Sequence, residues 1–184
     1  MKKTGIIVVA VIIVLGILMV NSYNNLVELE ESVDSAWAQV ENVLKRRADL
    51  IPNLVNTVKG YASHEEEVLT QITKARSSFN RANTPREYAE ANAELERALS
   101  NLYVVVENYP ELKASENFSN LQYELAGTEN RISTERMRYN EAVQKFNTTI
   151  KRFPTNILAN IFGFEPKQYF EIDEEDRTVP EVNF

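Results

Sequence analysis

The chain opens with 24 residues that carry no charge, Thr4 to Val27, and the apolar core of that run is Gly5 to Val20. A helix needs roughly 20 such residues to cross the hydrocarbon of a bilayer. β-Branched residues surround the run on all sides without a polar face, which suits lipid better than the one-sided burial of a core helix. Leu18, Met19, Val20 and Asn21 offer no small residues for signal-peptide cleavage, and a chain without cysteine cannot carry a lipid-modified cysteine. The run is therefore expected to be a retained N-terminal anchor. Lys2 and Lys3 precede it and the next basic residue is Lys45, so the positive-inside bias places the short N-terminus inside and the large domain outside.

Twenty Lys and Arg stand against 27 Asp and Glu, a formal net charge of −7. Such an acidic chain is repelled by phosphate backbones, which argues against nucleic-acid binding. Without cysteine, no disulfide, thiol nucleophile or thiolate metal site can form. The length beyond the anchor suffices for one domain with a sizeable core. Five glycines and six prolines in 184 residues favour long helices.

Apolar spacing sets out the helices. Leu26, Leu29, Val33, Ala36, Val40, Val43 and Arg47 recur at alternating intervals of three and four, with Trp37 and Leu44 beside them, and predict a first helix continuous with the anchor. Arg46 to Leu54 reads as a turn, in which Asp49 caps the next helix and Pro52 falls in its first turn. Ile51, Leu54, Val58, Tyr61, Glu65, Val68, Ile72, Ala75 and Phe79 then predict a long second helix to about Arg81, bent near Gly60 where the seam also carries Glu65. Thr84, Pro85 and Glu87 form a capping box for a third helix, whose face is Tyr88, Ala91, Leu95, Ala98, Leu102 and Val105. A fourth begins after Ser115, carries Phe118, Leu121, Leu125, Thr128, Ile132, Glu135, Tyr139, Val143, Phe146 and Ile150, and ends before Pro154. Thr155 to Phe162 is expected to be a short apolar helix closed by Gly163. Four helices with short connections pack as antiparallel neighbours. The expected fold is all-α: a transmembrane helix over residues 1–23, an up-and-down four-helix bundle with its closing helix over 24–163, and a mostly extended acidic tail over 164–184.

Polar residues beside the apolar seams must be paired if they are half-buried. Glu129, Arg136, Asn140 and Asn147 lie beside the seam of the fourth helix, and some of them are therefore expected to meet Arg46, Arg47, Asn53 or Lys59 across the bundle, with Asp49 nearby. Ile157, Leu158, Ile161, Phe162 and Phe164 are more apolar than a chain end requires. They either seal the bundle or form a docking patch.

Tyr23, Asn24, Leu26 and Val27, then Trp37, then Arg47, Asp49, Leu50, Ile51, Pro52, Asn53, Leu54 and Val55 resemble the LemA family, as do Tyr61, His64, Glu65, Ala75 and Arg76. Tyr109, Pro110, Leu112, Lys113 and Ala114 continue the resemblance, followed by Glu129, Arg131, Ile132, Arg136, Tyr139, Asn140, Phe153, Pro154, Tyr169 and Phe170. The resemblance implies a bacterial membrane protein with one N-terminal span, a helical bundle, and no established enzymatic activity or cofactor. It also implies a membrane protease as a companion and a cytoplasmic domain, the opposite of the orientation drawn from the lysines.

Chemistry finds few footholds. His64 is the only histidine, so neither a His-Glu-x-x-His zinc helix nor a di-iron bundle site can be completed. Gly60, Gly127 and Gly163 are isolated, which leaves no phosphate-cradling loop. Glu171, Asp173, Glu174, Glu175 and Asp176 lack the ordered spacing of a calcium loop and are expected to be a solvated tail. The expected function is a membrane-anchored, non-catalytic interaction or scaffold module that docks a membrane protein. Self-association and a small envelope enzyme using carboxylates are the alternatives.

Overall fold

The computed structural model describes the backbone of residues 2–62 and 64–171, and their side chains except at 2–4, 8 and 11. Every regular element among the described residues is helical: α1 (Lys2–Lys59), α2 (Glu66–Phe79), α3 (Pro85–Val106), α4 (Pro110–Lys113), α5 (Glu116–Lys151) and α6 (Thr155–Phe162). The fold is an all-α helical bundle. It divides into two compact units, one made of Met1–Ala36 with Arg138–Lys167 and the other of Trp37–Met137 with Gln168–Phe184.

In the second unit α1 reverses into α2, α2 into α3, and α3 passes through the single turn of α4 into α5, an up-and-down order. Its core is built from Val40, Leu44, Ile51, Leu54 and Val58 on α1, Leu69, Ile72, Ala75 and Phe79 on α2, Leu95 and Leu102 on α3, and Phe118, Leu125 and Ile132 on α5. The capping box opens α3 as expected: the Thr84 hydroxyl accepts from the Glu87 amide at 3.2 Å, and the Glu87 carboxylate accepts from the Thr84 amide at 3.2 Å. At the end of the described chain, Phe170 is only 2% exposed and its ring lies 6.2 Å from that of Trp37. Residues 164–171 form no helix or strand, yet Phe170 is tied down rather than part of a free tail. Asp173 to Asp176 lie outside the described residues.

One expectation is overturned here. Arg46 to Leu54 is not a turn: α1 runs through it, and Pro52 sits inside the helix. Asp49 is exposed and caps nothing. A proline inside a helix removes the amide that would bond the carbonyl four residues earlier. That carbonyl belongs to Ala48, and Arg76 on α2 supplies the missing donor, its Nε lying 3.1 Å from Ala48 O. The reversal falls instead just after Lys59, where Gly60 N bonds Thr57 O at 3.2 Å and Ala62 N bonds Val58 O at 2.8 Å. What looked like a bend near Gly60 is the hairpin itself, and His64 is exposed within it.

In the first unit, Leu26, Leu29 and Val33 on α1 are buried, as are Tyr139, Val143, Phe146 and Ile150 on α5, each set spaced by threes and fours. After α6, Gly163 takes the left-handed conformation, φ 76°, that closes a helix at little cost only for glycine. The chain then returns along α5: the Asn147 side chain brackets Lys167, accepting from its amide at 2.8 Å and donating to its carbonyl at 2.9 Å. Lys167 Nζ also reaches Glu30 at 2.6 Å. Ahead of this packed region, α1 presents one stretch long and apolar enough to cross a membrane, with none of it buried by the rest of the chain.

Candidate functional site

The second unit holds a charged cluster centred on Arg47. The apolar stripe of α1 passes through positions 40, 44, 47, 51, 54 and 58, so the periodicity that buries Val40 and Ile51 also buries Arg47, which is 4% exposed. An isolated guanidinium there would be prohibitive, because arginine cannot lose its proton. Three side chains answer it. Asn92 on α3 accepts from Arg47 Nη1 at 2.7 Å, Glu96 one turn later lies at 3.4 Å, and Glu129 on α5 accepts from the same nitrogen. Asn92 in turn donates to Glu96 at 2.7 Å, which fixes the carboxylate. Arg47 Nε is buried and has no hydrogen-bond partner among the described residues.

The carboxylates occupy a different environment from the arginine. Glu96 and Glu129 side chains are 44% and 42% exposed. They line a cleft of about 380 Å³ together with Ser100, Tyr103 and Gln122, with Arg47 at its inner wall. Partial burial pushes the Glu129 carboxyl above the ordinary glutamate value, Arg47 opposes that shift, and the neighbouring Glu96 reinforces it. Burial also raises the Tyr103 phenol, against the pull of Arg47. Two carboxylates and one guanidinium leave the cleft with an excess of one negative charge. It is thus suited to hydroxyl or cationic groups rather than to anions.

Of the residues expected to form a polar network, the structure brings Arg47 and Glu129 together. Arg46, Asp49, Asn53, Lys59 and Arg136 are exposed and take no part in the Arg47 cluster, while in the first unit Asn140 is half-buried and Asn147 pairs with the Lys167 backbone rather than with a basic side chain of α1. Asn92 and Glu96 were missed. Their signal was present: both lie one helical turn apart on the apolar face begun by Tyr88, where a polar residue is as conspicuous as Arg47 on α1. Among the described residues, no group of three or more His, Asp or Glu is placed to hold a metal ion.

The apolar set near the C-terminus divides. Leu158 is buried, whereas Ile157, Ile161 and Phe162 are 50%, 65% and 53% exposed. Phe162 and Phe164 stack around Tyr23 on α1, with ring centroids 4.8 and 5.9 Å apart. One set of residues thus contains both a seal and an exposed patch.

The sequence model of the LemA family matches residues 36–184. The chain belongs to the LemA family. The matched region takes in the whole Arg47 cluster, and it begins one residue before the second unit does. Magnetosome proteins MamQ 2 and MamQ 1 of Paramagnetospirillum magneticum are each 26% identical to this LemA-family chain, over 81% of it and 64% of their own length. The chain thus spans less than two thirds of these relatives. Protein LemA of Metamycoplasma hominis is 25% identical over 84% of the chain and 71% of its own. By length and composition, the apolar start of α1 fits a membrane anchor.

Proposed function

We propose that this LemA-family protein is a membrane-tethered interaction module that performs no catalysis and docks another membrane protein, a membrane protease being the partner suggested by the family resemblance. One observation carries the reading. α1 is a single helix whose apolar beginning is unburied by the chain and whose later turns supply the stripe from Val40 to Val58 to the second unit's core. Attachment and folded domain thus share one element. The placement of Lys2 and Lys3 favours a domain outside the membrane's cytoplasmic face. An impermeant maleimide tests this on intact cells carrying Tyr123→Cys, since Tyr123 is exposed and the chain has no other thiol.

The partner is tested by crosslinking the full-length protein in native membranes and identifying attached chains by mass spectrometry. One partner at comparable stoichiometry supports docking. Recovery with itself alone supports a self-assembling structural component, and recovery free of any attached chain contradicts the proposal.

A second reading, a carboxylate enzyme, is favoured by the raised Glu129 at the edge of a cleft. Against it, Glu96 and Glu129 are both engaged by Arg47, whereas acid–base work needs a carboxyl free to exchange its proton with a substrate. A Glu129→Gln variant that keeps its thermal stability and its crosslinked partner, yet loses cellular function, would favour the enzyme.

A further inference from the structure

We infer that α6 lies in the headgroup layer of the bilayer that α1 crosses, so that the protein meets the membrane through a second, interfacial contact. The inference rests on the anchor reading and extends it. The apolar core of the span ends at Val20, and Tyr23 lies three residues, about 4.5 Å, further along the helix. Tyr23 therefore stands at the boundary between hydrocarbon and water, the depth at which tyrosine is enriched because its ring is apolar and its hydroxyl is not. Phe162 packs against that ring at 4.8 Å and Phe164 at 5.9 Å, which fixes the end of α6 at the same depth.

The composition of α6 suits that position. Its eight residues carry no charge. Leu158 and Ala159 face inward, while Ile157 and Ile161, one turn apart, share an exposed face flanked by Phe162 and by the 80% exposed Phe153. Lys151 and Arg152, both exposed, lie just before the patch, where long basic side chains can reach lipid phosphates. Such apolar side chains held in water are unfavourable in proportion to their area. The bilayer surface is the occupant already present at their depth.

The absence of cysteine makes the test direct. The full-length protein, carrying one cysteine at Ile161, Leu15 or Glu141, is labelled with a nitroxide and reconstituted into phosphatidylcholine and phosphatidylglycerol vesicles. Collision with oxygen and with a water-soluble nickel chelate is then measured by electron paramagnetic resonance. Leu15 lies within the span, and Glu141 is exposed on α5, ten residues and about 15 Å of helix before Lys151. The Ile161 label is expected to meet nickel several-fold less often than the Glu141 label, and oxygen less often than the Leu15 label. If Ile161 meets nickel as freely as Glu141 while Leu15 stays in lipid, the interfacial contact is overturned and the anchor stands. If the Leu15 label is also in water, the anchor fails and the inference with it. Spin–spin broadening at Ile161 that disappears on dilution with unlabelled protein assigns the patch to a second copy and likewise overturns the inference.

Discussion

Arg76 Nε donates to the carbonyl of Ala48 at 3.1 Å, the one α1 carbonyl that Pro52 leaves without its helical partner. A helix that should break at its proline is thus continued by a side chain from its neighbour. Leaving such a carbonyl unsatisfied costs about 1–3 kcal/mol. Arg76→Met is therefore expected to destabilise the protein by about that amount, and by clearly less when Pro52→Ala restores the amide. Denaturant unfolding of the four proteins in this double-mutant cycle measures the coupling; equal costs in both backgrounds would contradict the link.

The burial difference across the Arg47 cluster predicts an asymmetry. Removing both negative charges, with Glu96→Gln and Glu129→Gln, leaves a buried guanidinium with neutral acceptors but no countercharge and is expected to cost about 3 kcal/mol. Arg47→Met leaves two half-exposed carboxylates that water can reach, together with an apolar residue on an apolar stripe, and is expected to cost only about 1 kcal/mol. Thermal unfolding that ranks the two variants in the opposite order would show that Arg47 is not the buried member of the cluster.

Tyr139 gives the fold a pH dependence. Burial, reinforced by the Asp34 carboxylate, pushes its phenol up to about 12. The folded chain then holds a proton that the unfolded chain releases near pH 10, so this contribution is complete below pH 10 and is lost as pH rises toward 12. Tyr139→Phe removes the ionisation. The variant is expected to show a flatter stability profile between pH 10 and 12 than the parent, and identical slopes would contradict the assignment.

The seal and the exposed patch on α6 should separate by substitution. Leu158→Ala removes buried volume and is expected to cost about 2–5 kcal/mol, whereas Ile161→Ala should change stability by less than about 0.5 kcal/mol in detergent. A large loss at Ile161 would mean that the patch belongs to the core.

Much of this structure is legible from spacing alone. The unburied apolar start of α1, the capping box at Thr84, the bounds of α3 and the Gly163 closure of α6 all follow from local rules, because the residues that decide them are adjacent in sequence. Pro52 misled for the opposite reason: its compensation comes from Arg76, 24 residues away, and no local pattern announces it. The buried stripe through Leu44, Ala48, Ile51 and Leu54 outweighs the single lost amide bond. Arg47 stood on that stripe and Glu129 beside its own, so their meeting could be read from pairing requirements. Asn92 and Glu96 stood out as polar residues one turn apart on the α3 face begun by Tyr88, but no spacing rule tells that this face meets Arg47 rather than another part of the bundle. The division of the apolar set between Leu158 and Ile161 likewise depends on how α6 is seated.

In the proposed function, the start of α1 holds this protein in the hydrocarbon of a membrane. Alkaline carbonate extraction of membranes containing the full-length protein tests it most directly, since high pH strips proteins bound by charge or by partners. The protein is expected to sediment with the membranes; its release into the supernatant would show that hydrocarbon does not hold it.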